Sequence, residues 1–111
     1  MPHHWNENEH RWGERVRVDV SVSVNVPAPA SFRVNGRLRN VSLSGALIKA
    51  EVNLPLNTLI AVSLIPQPPA QIEAVLNAHI TRKLREDVGV EWCEFAPSAV
   101  KDLLRSTTAR S

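Results

Sequence analysis

Val16-Arg17-Val18-Asp19-Val20-Ser21-Val22-Ser23-Val24-Asn25-Val26 puts valine at every second position, with a charged or polar residue between each pair. A period of two is the repeat of an extended chain, whose side chains point alternately to opposite faces, and β-branched valine packs well on a pleated surface. The stretch therefore predicts a long strand with one buried face and commits the chain to a sheet-based fold. Pro27-Ala28-Pro29-Ala30 ends it, because proline brings no N–H to a central ladder.

The chain beyond repeats this alternation of strand and break. Residues 32–41 read as a second strand, either interrupted at Asn35-Gly36 or folded there into a tight hairpin, since Asn-Gly suits a two-residue turn. Residues 45–50 (GALIKA) read as a third strand with Leu47 in the core, and residues 58–65 (TLIAVSLI) as a fourth, stopped by Pro66-Gln67-Pro68-Pro69. In residues 72–82, Ile72, Val75, Leu76 and His79 fall at helical spacing. Ala74, Leu76, Ala78 and Ile80 also alternate with polar neighbours, and the β context favours a strand. A charged turn at residues 82–87 leads to the last strand, residues 88–95 (VGVEWCEF). Residues 97–105 then predict a helix, with Pro97 at its first position and Val100, Leu103 and Leu104 on one face. Six strands and a closing helix, without βαβ alternation, predict a mainly β fold: a small six-stranded antiparallel barrel covered by a C-terminal helix.

The composition fits one modest domain. The chain has 111 residues, 43% of them hydrophobic, which suits a folded core rather than a disordered chain. No apolar run approaches the ~18 residues a membrane helix needs, and no signal peptide is expected. Cys93 is the single cysteine, so an intrachain disulfide is excluded and a cytoplasmic location is expected. Residues 1–10 (MPHHWNENEH) are polar and aperiodic and read as a flexible arm, residues 11–105 as the domain and 106–111 as a tail. His3, His4 and His10 lack the cysteines or spaced carboxylates of a metal centre, so no metal is expected.

The net charge of +2 does not mark a nucleic-acid binder, but its distribution is uneven. Between Arg15 and Lys49 stand Arg15, Arg17, Arg33, Arg37, Arg39 and Lys49 against one acid, Asp19, whereas residues 50–81 carry no Lys or Arg. Such a concentration suits an anionic ligand. Inside it, Asn40-Val41-Ser42-Leu43-Ser44-Gly45 offers short hydrogen-bonding side chains and a glycine, consistent with a polar turn between strands. Catalysis is not indicated. Ser42 and Ser44 lie in no Gly-x-Ser-x-Gly elbow, and His79 has no evident acid partner. Cys93 reads as a small buried hydrophobe and Trp92 as a core residue.

Arg11-x-x-x-Arg15 followed by Asn40-x-Ser42-x-x-Gly45 resembles the paired signature of PilZ domains, which bind the bacterial second messenger cyclic di-GMP. The order of a long first strand, the Asn-x-Ser-x-x-Gly turn, a Gly-Val-Glu-aromatic strand and a closing helix is similar to that family over nearly the whole chain. The resemblance implies a PilZ-like barrel, with Arg11 and Arg15 clasping the nucleotide while Asn40 and Ser42 form the opposite wall and Gly45 leaves room for it. Trp12, between the arginines, either stacks on a base or packs over the barrel mouth. Arginine suits this role because it forks onto phosphate oxygens or onto guanine O6 and N7. The resemblance thus implies a cyclic di-GMP receptor, without cofactor, whose arm closes over the ligand and changes the surface offered to a downstream protein partner. The alternative is a PilZ-like interaction adaptor that ignores nucleotide. A binder of single-stranded nucleic acid would need more exposed aromatics than Phe32 supplies between Trp12 and Trp92.

Overall fold

The structure, a computed structural model, describes residues 15–27, 31–66, 68 and 72–109. Arg11, Trp12 and the arm of residues 1–10 lie outside the described residues. Six strands run in chain order: β1 Val16–Val26, β2 Phe32–Val41, β3 Gly45–Lys49, β4 Leu59–Leu64, β5 Ala74–Lys83 and β6 Asp87–Trp92. A single described helix, α1, spans Ser98–Ala109. All strand pairs are antiparallel, and the spatial order β1-β2-β3-β6-β5-β4 closes into a barrel through the β1–β4 pairing. Closure gives every described strand a neighbour on both sides, although Val22–Asn25 are the part of β1 paired with β4.

The alternating valines sort as their period requires. Val22, Val24 and Val26 are buried, while Val16, Val18 and Val20, at the opening of β1, are half-buried. They join Leu38, Val41, Ala46, Ile48, Ile60, Val62, Ala78, Ile80, Val88, Val90 and Trp92 in one apolar cluster that fills the barrel. At roughly 25 cal/mol per Å² of apolar surface removed from water, this filling is the dominant stabilising term. Val100 and Leu103 of α1 belong to the same cluster, with Leu104 packed against it. The helix is tied down by its approach: Ala96 turns the chain at φ 53° and its N–H donates to the Leu43 carbonyl at 2.9 Å.

Several local expectations are corrected. Asn35-Gly36 is neither an interruption nor a hairpin, because β2 runs through it, Gly36 pairing with Val22 and Asn35 with Ser23. A Cβ at Gly36 would stand 2.7 Å from the Lys49 carbonyl oxygen, so the glycine serves close strand approach instead of a turn. Leu47 is not in the core. Ala46 and Ile48 point inward, and the pleat sends Leu47 to the outer surface, where it is half-buried. Cys93 is exposed, since Trp92 faces inward and its neighbour must face outward. Pro97 precedes α1 as its cap, its carbonyl accepting from Lys101 N–H at 3.0 Å. The helix extends to Ala109, beyond the expected end at residue 105.

Candidate functional site

Two irregularities in the ladder shape the outer face of β1, β2 and β3. Between Arg17 and Val20 the register of β1 shifts against β2, and between Leu38 and Asn40 the register of β2 shifts against β3. A bulge places an additional residue in one strand, bends it and re-aims side chains. Here the bulges bring Arg17, Val18 and Asp19 of β1, Arg37, Arg39 and Asn40 of β2, and Leu47 and Lys49 of β3 around one open groove of about 640 Å³. Among the described residues its lining holds four cations and one carboxylate. Val18 and Leu47 add apolar surface against which a planar ring can lie. Charged forks beside such surface suit a small anionic ligand with a ring system.

Asn40 is the hinge of this arrangement. In the ladder it stands opposite both Arg17 and Leu47. Its Oδ1 accepts a hydrogen bond from Arg15 Nη1 at 2.9 Å. Arg15 and Asn40, one residue from each stretch singled out in the sequence, thus meet beside the basic groove. Of the six basic residues concentrated between positions 15 and 49, Arg17, Arg37, Arg39 and Lys49 line the groove and Arg15 bonds to its wall. Arg33 is turned elsewhere, its Nε donating to Asn25 Oδ1 at 3.1 Å.

Ser42 and Gly45 build the turn that presents Asn40. Ser42 is buried, at 1% exposure, and its Oγ accepts the N–H groups of Ser44 at 3.3 Å and Gly45 at 3.2 Å. The Ser42 N–H donates to the Gly45 carbonyl at 2.8 Å. A serine hydroxyl bonding backbone a few residues on is the ordinary mechanism of a serine turn. Trp92 reaches the same turn from β6, its Nε1–H donating to the Ser42 carbonyl at 3.1 Å. Gly45 allows β3 to approach β6: a Cβ there would fall 2.1 Å from the Val90 carbonyl oxygen. Among the described motif residues, Asn40 alone lines the groove, while Ser42 and Gly45 fix where Asn40 stands.

The groove's charges are partly matched from within the chain. Asp19 Oδ1 lies 2.6 Å from Arg37 Nε, and Arg37 Nη1 also donates to Ser21 Oγ at 3.1 Å. The hydrogen bond from Arg37 holds the Asp19 carboxyl below its ordinary value, aided by the positive charges of Arg37 and Arg39. Arg39 lies 3.7 Å from Asp87 Oδ1, and Lys49 lies 3.8 Å from Glu86 Oε1. Both of those separations exceed hydrogen-bond length.

Arg17, Arg37, Arg39 and Lys49 were not assigned to a site from the sequence, though the uneven charge distribution pointed toward them, and Leu47 was assigned to the core. His79 does have an acid partner after all, since the β5–β6 register sets Glu91 opposite it, with Nε2 and Oε1 3.1 Å apart. Neither residue lines the groove.

The chain is thus a closed antiparallel barrel with a capping helix and a basic groove on its outer wall. The PilZ domain family model matches residues 8–109, and the chain belongs to that family. PilZ domains are generally modules that bind cyclic di-GMP and regulate, not catalysts. Among solved structures, the crystal structure of the PilZ domain of CeSA from a cellulose-synthesizing bacterium is similar to this chain, with a TM-score of 0.63 and 20% identity. The match covers 87% of this chain and 97% of that one, and shows that the two share a fold. No curated protein matches the sequence. Among the described residues no helix is long and apolar enough to cross a membrane.

Proposed function

We propose that this chain is a cyclic di-GMP receptor module whose ligand sits against Asn40 and the basic groove of β1, β2 and β3. The observation that carries the reading is the 2.9 Å hydrogen bond from Arg15 to Asn40, made at the edge of a groove lined by three further arginines and a lysine. In this reading the guanidinium forks of Arg15 and Arg11 take phosphate or guanine edges, Asn40 hydrogen-bonds the ligand from the opposite side, and Leu47 supports a base. Ser42 and Gly45 act through the turn that positions Asn40. Trp12 stacks on a base or covers it. Closure of the arginine segment over the nucleotide would alter the surface presented to a protein partner, in the cytoplasm of a bacterium.

Calorimetry with cyclic di-GMP on the intact chain, Arg15→Ala and Arg15→Lys tests this. A bidentate contact is worth about 1–3 kcal/mol, so Arg15→Ala should weaken binding roughly 5- to 150-fold. Lysine keeps the charge but not the planar fork, and should recover only part of the loss. Equal affinity for all three proteins, or binding by none, defeats the reading. In the latter case an adaptor that ignores nucleotide takes its place.

A further inference from the structure

We propose that Asp19 is a built-in competitor for the ligand's phosphate, occupying Arg37 in the empty groove and setting how tightly the site binds. The inference rests on the proposed binding of cyclic di-GMP at this groove and concerns how that site is tuned.

The geometry singles Asp19 out from the other acids nearby. Among the described residues its carboxylate is the one acidic group lining the groove, and it lies in the β1 bulge. It makes a short hydrogen bond to Arg37 at 2.6 Å, whereas Asp87 and Glu86 stand 3.7 and 3.8 Å from their cations. Ser21 Oγ accepts from Arg37 Nη1, so the guanidinium is oriented from two sides. An incoming phosphate oxygen seeking that fork meets a carboxylate already seated on it. It must displace Asp19 or share the guanidinium with it, and it is repelled by Asp19 in either case. The side chains of Arg37 and Asp19 are 47% and 77% exposed, so the pair is weak enough to be exchanged for a better anion. The Asp19–Arg37 pair therefore acts as a threshold: a single carboxylate in solution gains little by replacing it, while a doubly charged ligand with several contacts does.

The test compares the full chain, Asp19→Asn, Arg37→Gln and the double variant, titrated with cyclic di-GMP by calorimetry. Titration with inorganic pyrophosphate runs in parallel, followed through the backbone amide shifts of Leu47 and Lys49. Asp19→Asn should bind both probes about two- to fivefold more tightly than the parent, the scale expected for removing one exposed competing charge. In the Arg37→Gln background the same substitution should change affinity much less, because the fork it guards is gone. An unchanged affinity for Asp19→Asn, with the parent binding normally, overturns the competitor role and leaves the receptor reading standing. Binding of pyrophosphate that tightens in Asp19→Asn, without any binding of cyclic di-GMP, supports the competitor and removes the receptor reading. No binding of either probe by any of the four proteins overturns both. Circular dichroism of each variant confirms that the barrel is intact.

Discussion

Replacing Gly45 by alanine adds one methyl group where β3 lies against the backbone of β6. The new Cβ would lie 2.1 Å from the Val90 carbonyl oxygen and 3.2 Å from Glu91 Cα, both backbone atoms of β6. Real Cβ atoms essentially never come within 3.0 Å of such an atom, so β3 must retreat by about 0.9 Å. That retreat strains the Gly45–Glu91 pairing and the neighbouring bond from Trp92 N–H to the Ser44 carbonyl at 2.9 Å. It also pulls on the Ser42 turn, whose hydroxyl accepts the Gly45 N–H. Overpacking of this kind costs about 1–3 kcal/mol, and each weakened backbone bond adds about 0.5–1.5 kcal/mol. A loss of roughly 2–4 kcal/mol is expected, a large part of the ~5–15 kcal/mol a domain possesses. Urea denaturation followed by Trp92 fluorescence measures it. With a slope of about 2 kcal/mol/M, the midpoint should fall by roughly 1–2 M at unchanged slope. A fall below about 0.3 M refutes the reasoning. It would mean that the approach of β3 to β6 does not depend on the missing side chain.

Two further outcomes follow from the same contacts. Trp92→Phe keeps an aromatic in the core but removes the donor to the buried Ser42 carbonyl, so stability should fall by about 1–3 kcal/mol, read as a lowered thermal midpoint. Acid titration of Asp19 by carboxyl NMR should find its midpoint below that of an ordinary aspartate, and Arg37→Gln should raise it toward that value. Because the folded-state value is the lower one, the stabilisation from this pair is present above the unfolded value near ~3.9 and disappears as pH falls through the folded one. A midpoint unmoved by Arg37→Gln refutes the pair.

The sequence carried the fold well where a period of two could be followed. The valine alternation of β1 returned both ends of the strand, and the six strands and the helix stand in the expected order. It failed where side chains depend on partners rather than on their own neighbours. Asn35-Gly36 carries turn chemistry, yet the long pairing with β1 overrides it. Leu47 and Cys93 are apolar or nearly so, and composition would bury both, but the pleat faces both outward. The bulges were illegible altogether, since a register shift exists only between two strands. That is why Arg37, Arg39 and Lys49 showed as a basic stretch and not as a groove.

The same dependence explains why a site here needs more than its cations. The barrel interior is filled with valine, leucine and isoleucine, so a ligand must lie on the outer wall, where water screens each charge. Exposed ion pairs contribute about 0–1 kcal/mol each, and at physiological salt their fields fade within ~8 Å. Arg17, Arg37, Arg39 and Lys49 can therefore steer an anion toward the groove but cannot by themselves hold it tightly. Tight holding requires donors pre-set at fixed positions and a cover that removes water. In the proposed reading Asn40, beside the Ser42 turn that Trp92 holds, would supply the fixed donor, and Arg15, already bonded to it, would start the cover. Selectivity then arises from the number of simultaneous contacts a ligand makes. On the proposed reading, a ligand with two phosphates and two planar bases would engage the forks, the amide and the Leu47 surface together, whereas a simple anion would engage one of them.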